Sequence, residues 1–79
     1  MAGKVIRVAV TGAGGRMGRE VVKMVLGDEE LELAAAVDPG CAGTDAGRLA
    51  GTGDCGVIVT GDLEMALVES RADVMVDFT

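Results

Sequence analysis

Gly12, Gly15 and Gly18 stand at three-residue intervals directly after Val8-Ala9-Val10-Thr11, and that placement is the feature of the chain with the clearest chemical use. An apolar, β-branched run that breaks into glycines and then resumes with helical periodicity makes a strand, a tight turn and a helix whose first backbone amides have no partner within the helix. Such amides, with the helix dipole behind them, hold a phosphate or diphosphate. Each glycine meets a separate need. The first allows a turn with positive φ, the second leaves no Cβ where phosphate oxygens would sit, and the third lets the helix and strand backbones touch. The commoner glycine spacing of first, third and sixth positions is not met, because Met17 occupies the sixth.

Asp38, twenty residues after Gly18 and at the end of a second apolar run, adds an acidic side chain at the spacing where a carboxylate accepts hydrogen bonds from the hydroxyls of an adenosine ribose. The same carboxylate repels a 2′-phosphate, and the neighbouring Pro39 brings no cation, so NADH is expected to bind in preference to NADPH, with Arg16 able to moderate the difference. A competing reading makes Asp38 a turn former ahead of Pro39. Arg16 lies inside the glycine loop and is the best placed cation for an anion, whereas Arg19 and Lys23 also fit a solvated helix face.

Other chemistries find no support. The chain has no histidine and no tyrosine, and Cys41 and Cys55, fourteen residues apart, match neither zinc-ligand spacing nor a redox CxxC pair. They read as reduced thiols. No catalytic residue and no metal site are assigned, and a Tyr–Lys pair of the short-chain dehydrogenase or sugar-nucleotide epimerase type cannot be drawn. The net charge of −6 argues against nucleic acid as a partner, but the sign is uneven. Residues 1–23 carry Lys4, Arg7, Arg16, Arg19 and Lys23 against Glu20, whereas residues 24–79 carry Arg48 and Arg71 against twelve acids. No apolar run reaches the roughly 18 residues of a membrane span, and no signal-peptide pattern opens the chain, so no membrane partner and a cytoplasmic location are expected.

The elements that must position these residues follow from the hydrophobic pattern. Val5 to Thr11 reads as a strand covered on both faces. A helix of about three turns starts at Gly15, with Met17, Val21, Met24 and Val25 as its apolar stripe, and stops at Gly27. Leu31, Leu33, Ala35 and Val37 alternate as a second strand. Pro39 to Gly56 is a long excursion with a short helical turn at Ala46 to Leu49. Val57 to Thr60 is a third strand, and Asp62 caps a helix that turns Leu63, Ala66 and Leu67 inward. Asp73 to Thr79 is a fourth strand with Val74, Val76 and Phe78 on one face. The series predicts one domain over residues 1–79: an α/β, Rossmann-type open parallel sheet, strand order 3-2-1-4, with helices on both faces.

Gly12-Ala13-Gly14-Gly15-Arg16-Met17-Gly18-Arg19 resembles the opening signature of the dihydrodipicolinate reductase family (4-hydroxy-tetrahydrodipicolinate reductase). Gly43-Thr44-Asp45-Ala46-Gly47-Arg48-Leu49-Ala50-Gly51 and Asp77-Phe78-Thr79 resemble two further stretches of it. The resemblance implies a cytoplasmic oxidoreductase of lysine and diaminopimelate biosynthesis that transfers hydride from NADH or NADPH to a small cyclic substrate, typically as a homotetramer. It implies that the backbone of Gly12, Ala13, Gly14, Gly15, Arg16, Met17 and Gly18 holds the cofactor diphosphate. Asp38 would then hold the adenosine ribose, while Phe78 and Thr79 lie near the nicotinamide. Many members of the family carry arginine directly after the acidic residue, where this chain has Pro39. The family continues into a second domain that supplies a catalytic histidine, a lysine and the substrate and oligomer contacts. The 79 residues are accordingly expected to be a truncated dinucleotide-binding domain, inactive alone, that pairs through the edge of its fourth strand as a dimer or aggregate. The alternative is a noncatalytic nucleotide-sensing Rossmann module, which would use the same glycine loop without a second domain.

Overall fold

A computed structural model describes residues 5–79; Lys4, counted among the cations near the glycine loop, lies outside them. The chain runs β1 (Ile6–Thr11), α1 (Arg16–Leu26), β2 (Leu31–Val37), a 3-10 turn (Pro39–Cys41), α2 (Ala46–Leu49), α3 (Leu63–Ser70) and β3 (Val74–Asp77). Both strand pairings are parallel, and the sheet order is β2-β1-β3.

The expected order 3-2-1-4 is corrected in one respect. The predicted fourth strand is β3 and sits where expected, beside β1, but Val57 to Thr60 forms no strand. Its hydrogen bonds go instead to the excursion: Val59 N–H donates to the Thr44 carbonyl at 2.8 Å, and Gly43 and Ala46 N–H donate to the Val59 and Val57 carbonyls at 2.8 Å each. Only Thr60 reaches the sheet, as an isolated parallel bridge to Val37. The segment is too short to serve two partners, and the nearer in sequence has most of it.

Helices cover both faces, as predicted for a parallel sheet. On one face Val8, Val10, Leu33 and Ala36 pack with Val22 and Val25 of α1 and with Ala46 and Val59; on the other Ala9, Ala35 and Val37 pack with Ala66 of α3. The stripe that α1 buries is Gly18, Val22 and Val25, whereas Met17 and Met24 are exposed, which shifts the predicted stripe by one position around the helix. Gly18 sets that rotation, since a residue without a side chain lets the helix lie closest to the sheet there. In α3 the buried residues are Ala66 and Ser70, and Leu63 and Leu67 remain largely exposed.

β2 contains an irregularity that the alternation of its sequence hides. Val8 pairs with Leu33 but Ala9 pairs with Ala35, so Ala34 is an extra residue, a β-bulge. Upstream of it Leu31 and Leu33 face α1; downstream Ala36 faces α1, while Ala35 and Val37 face α3.

At the amino end of the sheet, Arg7 locks β1 to α3 and β2. Its Nε and Nη2 donate to the Ser70 carbonyl at 3.1 and 2.9 Å, Nη1 pairs with Glu32, and its N–H donates to Asp73 at 3.0 Å. A cation on the last carbonyls of α3 complements the negative end of the helix.

Candidate functional site

The glycine loop leaves the carboxyl end of β1, where open parallel sheets bind ligands. Gly12 has φ +72°, and a Cβ there would stand 3.1 Å from the carbonyl carbon and oxygen of Phe78. Gly15 is the N-cap of α1, and a Cβ on it would meet nothing closer than the Gly12 carbonyl oxygen at 3.4 Å. A Cβ at Gly18 would collide with the Gly12 carbonyl oxygen and stand 2.8 Å from the Gly12 carbonyl carbon. The turn, the bare surface and the backbone contact read from the sequence are therefore met by Gly12, Gly15 and Gly18 respectively.

The amides divide into those that hold the loop and those that are free to hold something else. Gly12 and Ala13 N–H donate to the Val37 carbonyl at 2.8 and 3.2 Å, and Gly15 N–H donates to the Gly12 carbonyl at 3.1 Å. Ala13 is buried, so it anchors the loop in the core. Arg19 N–H opens the helical ladder by donating to the Gly15 carbonyl at 3.0 Å. Among the described residues the amides of Arg16, Met17 and Gly18 have no acceptor, no side chain caps α1, and its first turn holds no acid. Three unpaired donors on a helix terminus of positive polarity make an anion seat.

Asp38 closes one side of this seat. Its Oδ2 accepts from Gly14 N–H at 2.8 Å and its Oδ1 from Gly40 N–H at 3.0 Å, the latter as the cap of the Pro39–Cys41 turn. The turn-forming role and the approach to the glycine loop are thus both real. A carboxylate has about four acceptor positions, so two remain for hydroxyl donors. A Cβ at Gly14 would collide with the Cys41 thiol and approach Asp38 Oδ2 to 2.7 Å, so Gly14 is needed to let this corner close.

Arg16 is exposed and, with Arg19, Glu20, Leu49, Ala50 and Gly51, lines a cleft of about 250 Å³ between α1 and the end of α2. Larger clefts, of about 370 and 440 Å³, lie around Arg7 at the opposite end of β1 from the glycine loop. Phe78 and Thr79 follow β3 directly, and Phe78 N–H donates to the Thr11 carbonyl at 3.2 Å, which brings them against the start of the glycine loop. Met17 is exposed on the outer side of α1, so only its amide faces the seat.

Sequence reasoning gave Asp45 no role of its own, although it organises the excursion. Its carboxylate accepts from Gly47 and Arg48 N–H at 2.8 and 3.2 Å, capping α2, and from Cys55 and Gly56 N–H at 2.9 Å each, closing the loop. These donors, the Cys55 amide foremost, hold its pKa well below the usual carboxylate range against the opposing effect of desolvation. An Asp two residues before Gly47 was legible as a helix cap, but its bonds to Cys55 and Gly56 were not. Among the described residues no cluster of His, Cys, Asp and Glu is arranged to hold a metal ion, and no helix is long and apolar enough to cross a membrane.

Residues 6–79 match the family described as dihydrodipicolinate reductase, N-terminus. The chain is similar to 4-hydroxy-tetrahydrodipicolinate reductase of Desulfitobacterium hafniense, with 52% identity over 77 residues covering 96% of this chain and 29% of that protein. It is similar also to the protein of the same name from Methanobrevibacter smithii, at 47% identity over 79 residues covering 94% of this chain and 29% of that protein. Among solved structures, a dipicolinate-bound dihydrodipicolinate reductase from Paenisporosarcina sp. TG-14 superposes with a TM-score of 0.66 at 31% identity, over 95% of this chain and 29% of that one. The chain thus spans under a third of the length of these relatives.

Proposed function

The chain belongs to the dihydrodipicolinate reductase N-terminus family, and from that premise we propose that it is the nicotinamide-dinucleotide-binding domain, residues 1–79, of a reductase converting 4-hydroxy-tetrahydrodipicolinate to tetrahydrodipicolinate in lysine and diaminopimelate biosynthesis. The observation that carries the reading is the uncapped start of α1, where the amides of Arg16, Met17 and Gly18 stand free beside a Cβ-less Gly15. Those residues would hold the diphosphate, Asp38 the adenosine ribose, and Phe78 and Thr79 the nicotinamide end. Bound there, the dinucleotide supplies a hydride from its nicotinamide ring. The chain's own residues bind and orient it, and with no histidine among the 79 they offer no imidazole to protonate a substrate, so binding without turnover is expected of this polypeptide.

Asp38 sets the cofactor preference in this reading. Its carboxylate, fixed by Gly14 and Gly40, would face the 2′-position of the ribose, and Pro39 beside it offers no counter-charge. NADH should therefore bind tighter than NADPH by about tenfold or more, since unrelieved like charges in a binding site cost several kcal/mol. Calorimetric titration of both nucleotides, with wild type and Asp38→Asn, is the test. Wild type should prefer NADH, and the Asn variant, which keeps an acceptor while losing the charge, should bring the two affinities together. A wild-type preference for NADPH would refute the role of Asp38, and binding of neither nucleotide would refute the site. We propose further that the outer edge of β3, whose Val74 and Met75 are exposed, mediates self-association. A sedimentation profile that stays monomeric at high concentration would refute that.

A further inference from the structure

Asp77 ends β3 opposite Thr11, which ends β1. Its Oδ1 accepts three hydrogen bonds: from the Thr11 hydroxyl at 2.7 Å, the Thr79 N–H at 2.9 Å and the Thr79 hydroxyl at 2.6 Å. Thr11 is 2% exposed, so its hydroxyl needs a protein acceptor, and Asp77 provides it. Phe78 lies inside the resulting loop. Its N–H donates to the Thr11 carbonyl, and its own carbonyl lies 3.1 Å from where a Cβ on Gly12, at φ +72°, would stand. One carboxylate oxygen therefore joins the end of β1 to the exit of β3, and Phe78 between the two anchors rests on Gly12.

We propose that Asp77 is a positioning residue whose carboxylate fixes the Phe78–Thr79 turn over Gly12 and so preforms the nicotinamide half of the cofactor site. The inference rests on the reading that Phe78 and Thr79 border the nicotinamide. Hydrogen bonds to an ionised acceptor are about twice as strong as neutral ones, and three of them on one oxygen hold Phe78 and Thr79, which no sheet pairing fixes among the described residues. The same donors, the Thr79 hydroxyl first, then its N–H and the Thr11 hydroxyl, keep the Asp77 carboxyl down at about 2 against desolvation. The tie therefore stays charged above about pH 4.

The test compares NADH with ADP-ribose, which keeps the adenosine, the diphosphate and the second ribose but lacks the nicotinamide. Wild type should bind NADH the tighter. Asp77→Ala should weaken NADH by about tenfold and ADP-ribose by no more than about twofold, the loss expected for one charge-assisted interaction. Asp77→Asn, which keeps the acceptor oxygen, should recover most of the NADH affinity. Thr11→Val, isosteric and suited to a strand, should reproduce the selective loss in smaller measure should Asp77→Ala fail to fold. Equal weakening of both ligands in the folded variants would make the residue merely structural, and unchanged NADH binding would remove the role altogether. Wild type that binds NADH no tighter than ADP-ribose overturns the inference while leaving the diphosphate seat in place. Wild type that binds neither overturns the cofactor reading, and this inference falls with it.

Discussion

Replacing Gly18 by alanine should cost the chain much of its stability, and replacing Gly15 should cost it little. A Cβ at Gly18 collides with the Gly12 carbonyl oxygen and lies 2.8 and 2.9 Å from the Gly12 carbonyl carbon and Ala13 Cα, all backbone atoms that cannot swing aside. Overpacking of this kind costs about 1–3 kcal/mol, and an immovable neighbour puts the figure at the upper end. Alanine returns up to about 1 kcal/mol through its helix propensity, leaving a net loss of about 2 kcal/mol. For a domain of this size that lowers Tm by about 8–16 °C, measured by circular dichroism. At Gly15 the added methyl meets only the Gly12 carbonyl oxygen at 3.4 Å, an ordinary contact. Loss of glycine from the cap costs about 0.5–1 kcal/mol, a shift of about 2–8 °C. Calorimetry on the same two proteins should show the reverse order for NADH, with Gly15→Ala binding at least about tenfold more weakly because its methyl occupies the seat. Gly18→Ala melting within about 2 °C of wild type would refute the backbone-contact role, since a 2 kcal/mol penalty cannot hide in so small a shift. Gly15→Ala with unchanged NADH affinity would refute the seat.

Two further perturbations test the framework around the site. Asp45 and Asp77 are both held below the usual carboxylate value of 3.8, Asp77 at about 2, so the unfolded chain takes up these protons first. Their contribution is therefore complete above about pH 4 and is lost as the pH falls toward 2 and below. An acid titration of stability should fall across that window, and Asp45→Asn should flatten the fall; an unchanged acid limb in the variant would remove Asp45 from the account. Arg7→Leu leaves the Ser70 carbonyl without two donors and Glu32 without its partner. With the Arg7 side chain 41% exposed, solvent screening limits the cost to about 1 kcal/mol, read as a Tm drop of about 4–8 °C with NADH affinity unchanged. A loss of affinity without a loss of stability would contradict its placement at the far end of the sheet.

Much of this was legible where one residue type had one use. Gly12, Gly15 and Gly18 needed only their spacing and the strand before them, and Asp62 at the start of α3 caps it as its position implies, accepting from Met65 N–H at 3.0 Å. Reading failed where residues fit more than one environment. The alanines of Leu31–Val37 pack equally well on either face, so nothing in their order reveals that Ala34 is supernumerary. Methionine at positions 17 and 24 suits a buried stripe by hydropathy, yet a helix seated on Gly18 turns both outward. Val57 to Thr60 has the composition of a strand, but its neighbours in the excursion compete for its backbone, and composition does not say who wins. Long-range meetings such as Phe78 on Gly12 or Cys55 on Asp45 depend on the assembled fold and leave no local mark.

The bulge at Ala34 in β2 has a consequence out of proportion to its size. Side chains alternate along a strand, so an inserted residue exchanges the sides of everything after it unless a bulge absorbs it. With Ala34 bulged out, Ala36 points toward the glycine loop's side of the sheet, and Asp38, two positions on, shares that side and reaches Gly14. Were the same seven residues strung as a regular strand, the parity would invert, the acid would belong to the flank occupied by α3, and the corner beside Gly14 would have no carboxylate at all. Removing one alanine from the run 34–36 would thus abolish the bulge yet leave Asp38 on its present side, whereas flattening the bulge with all three alanines kept would move it across the sheet.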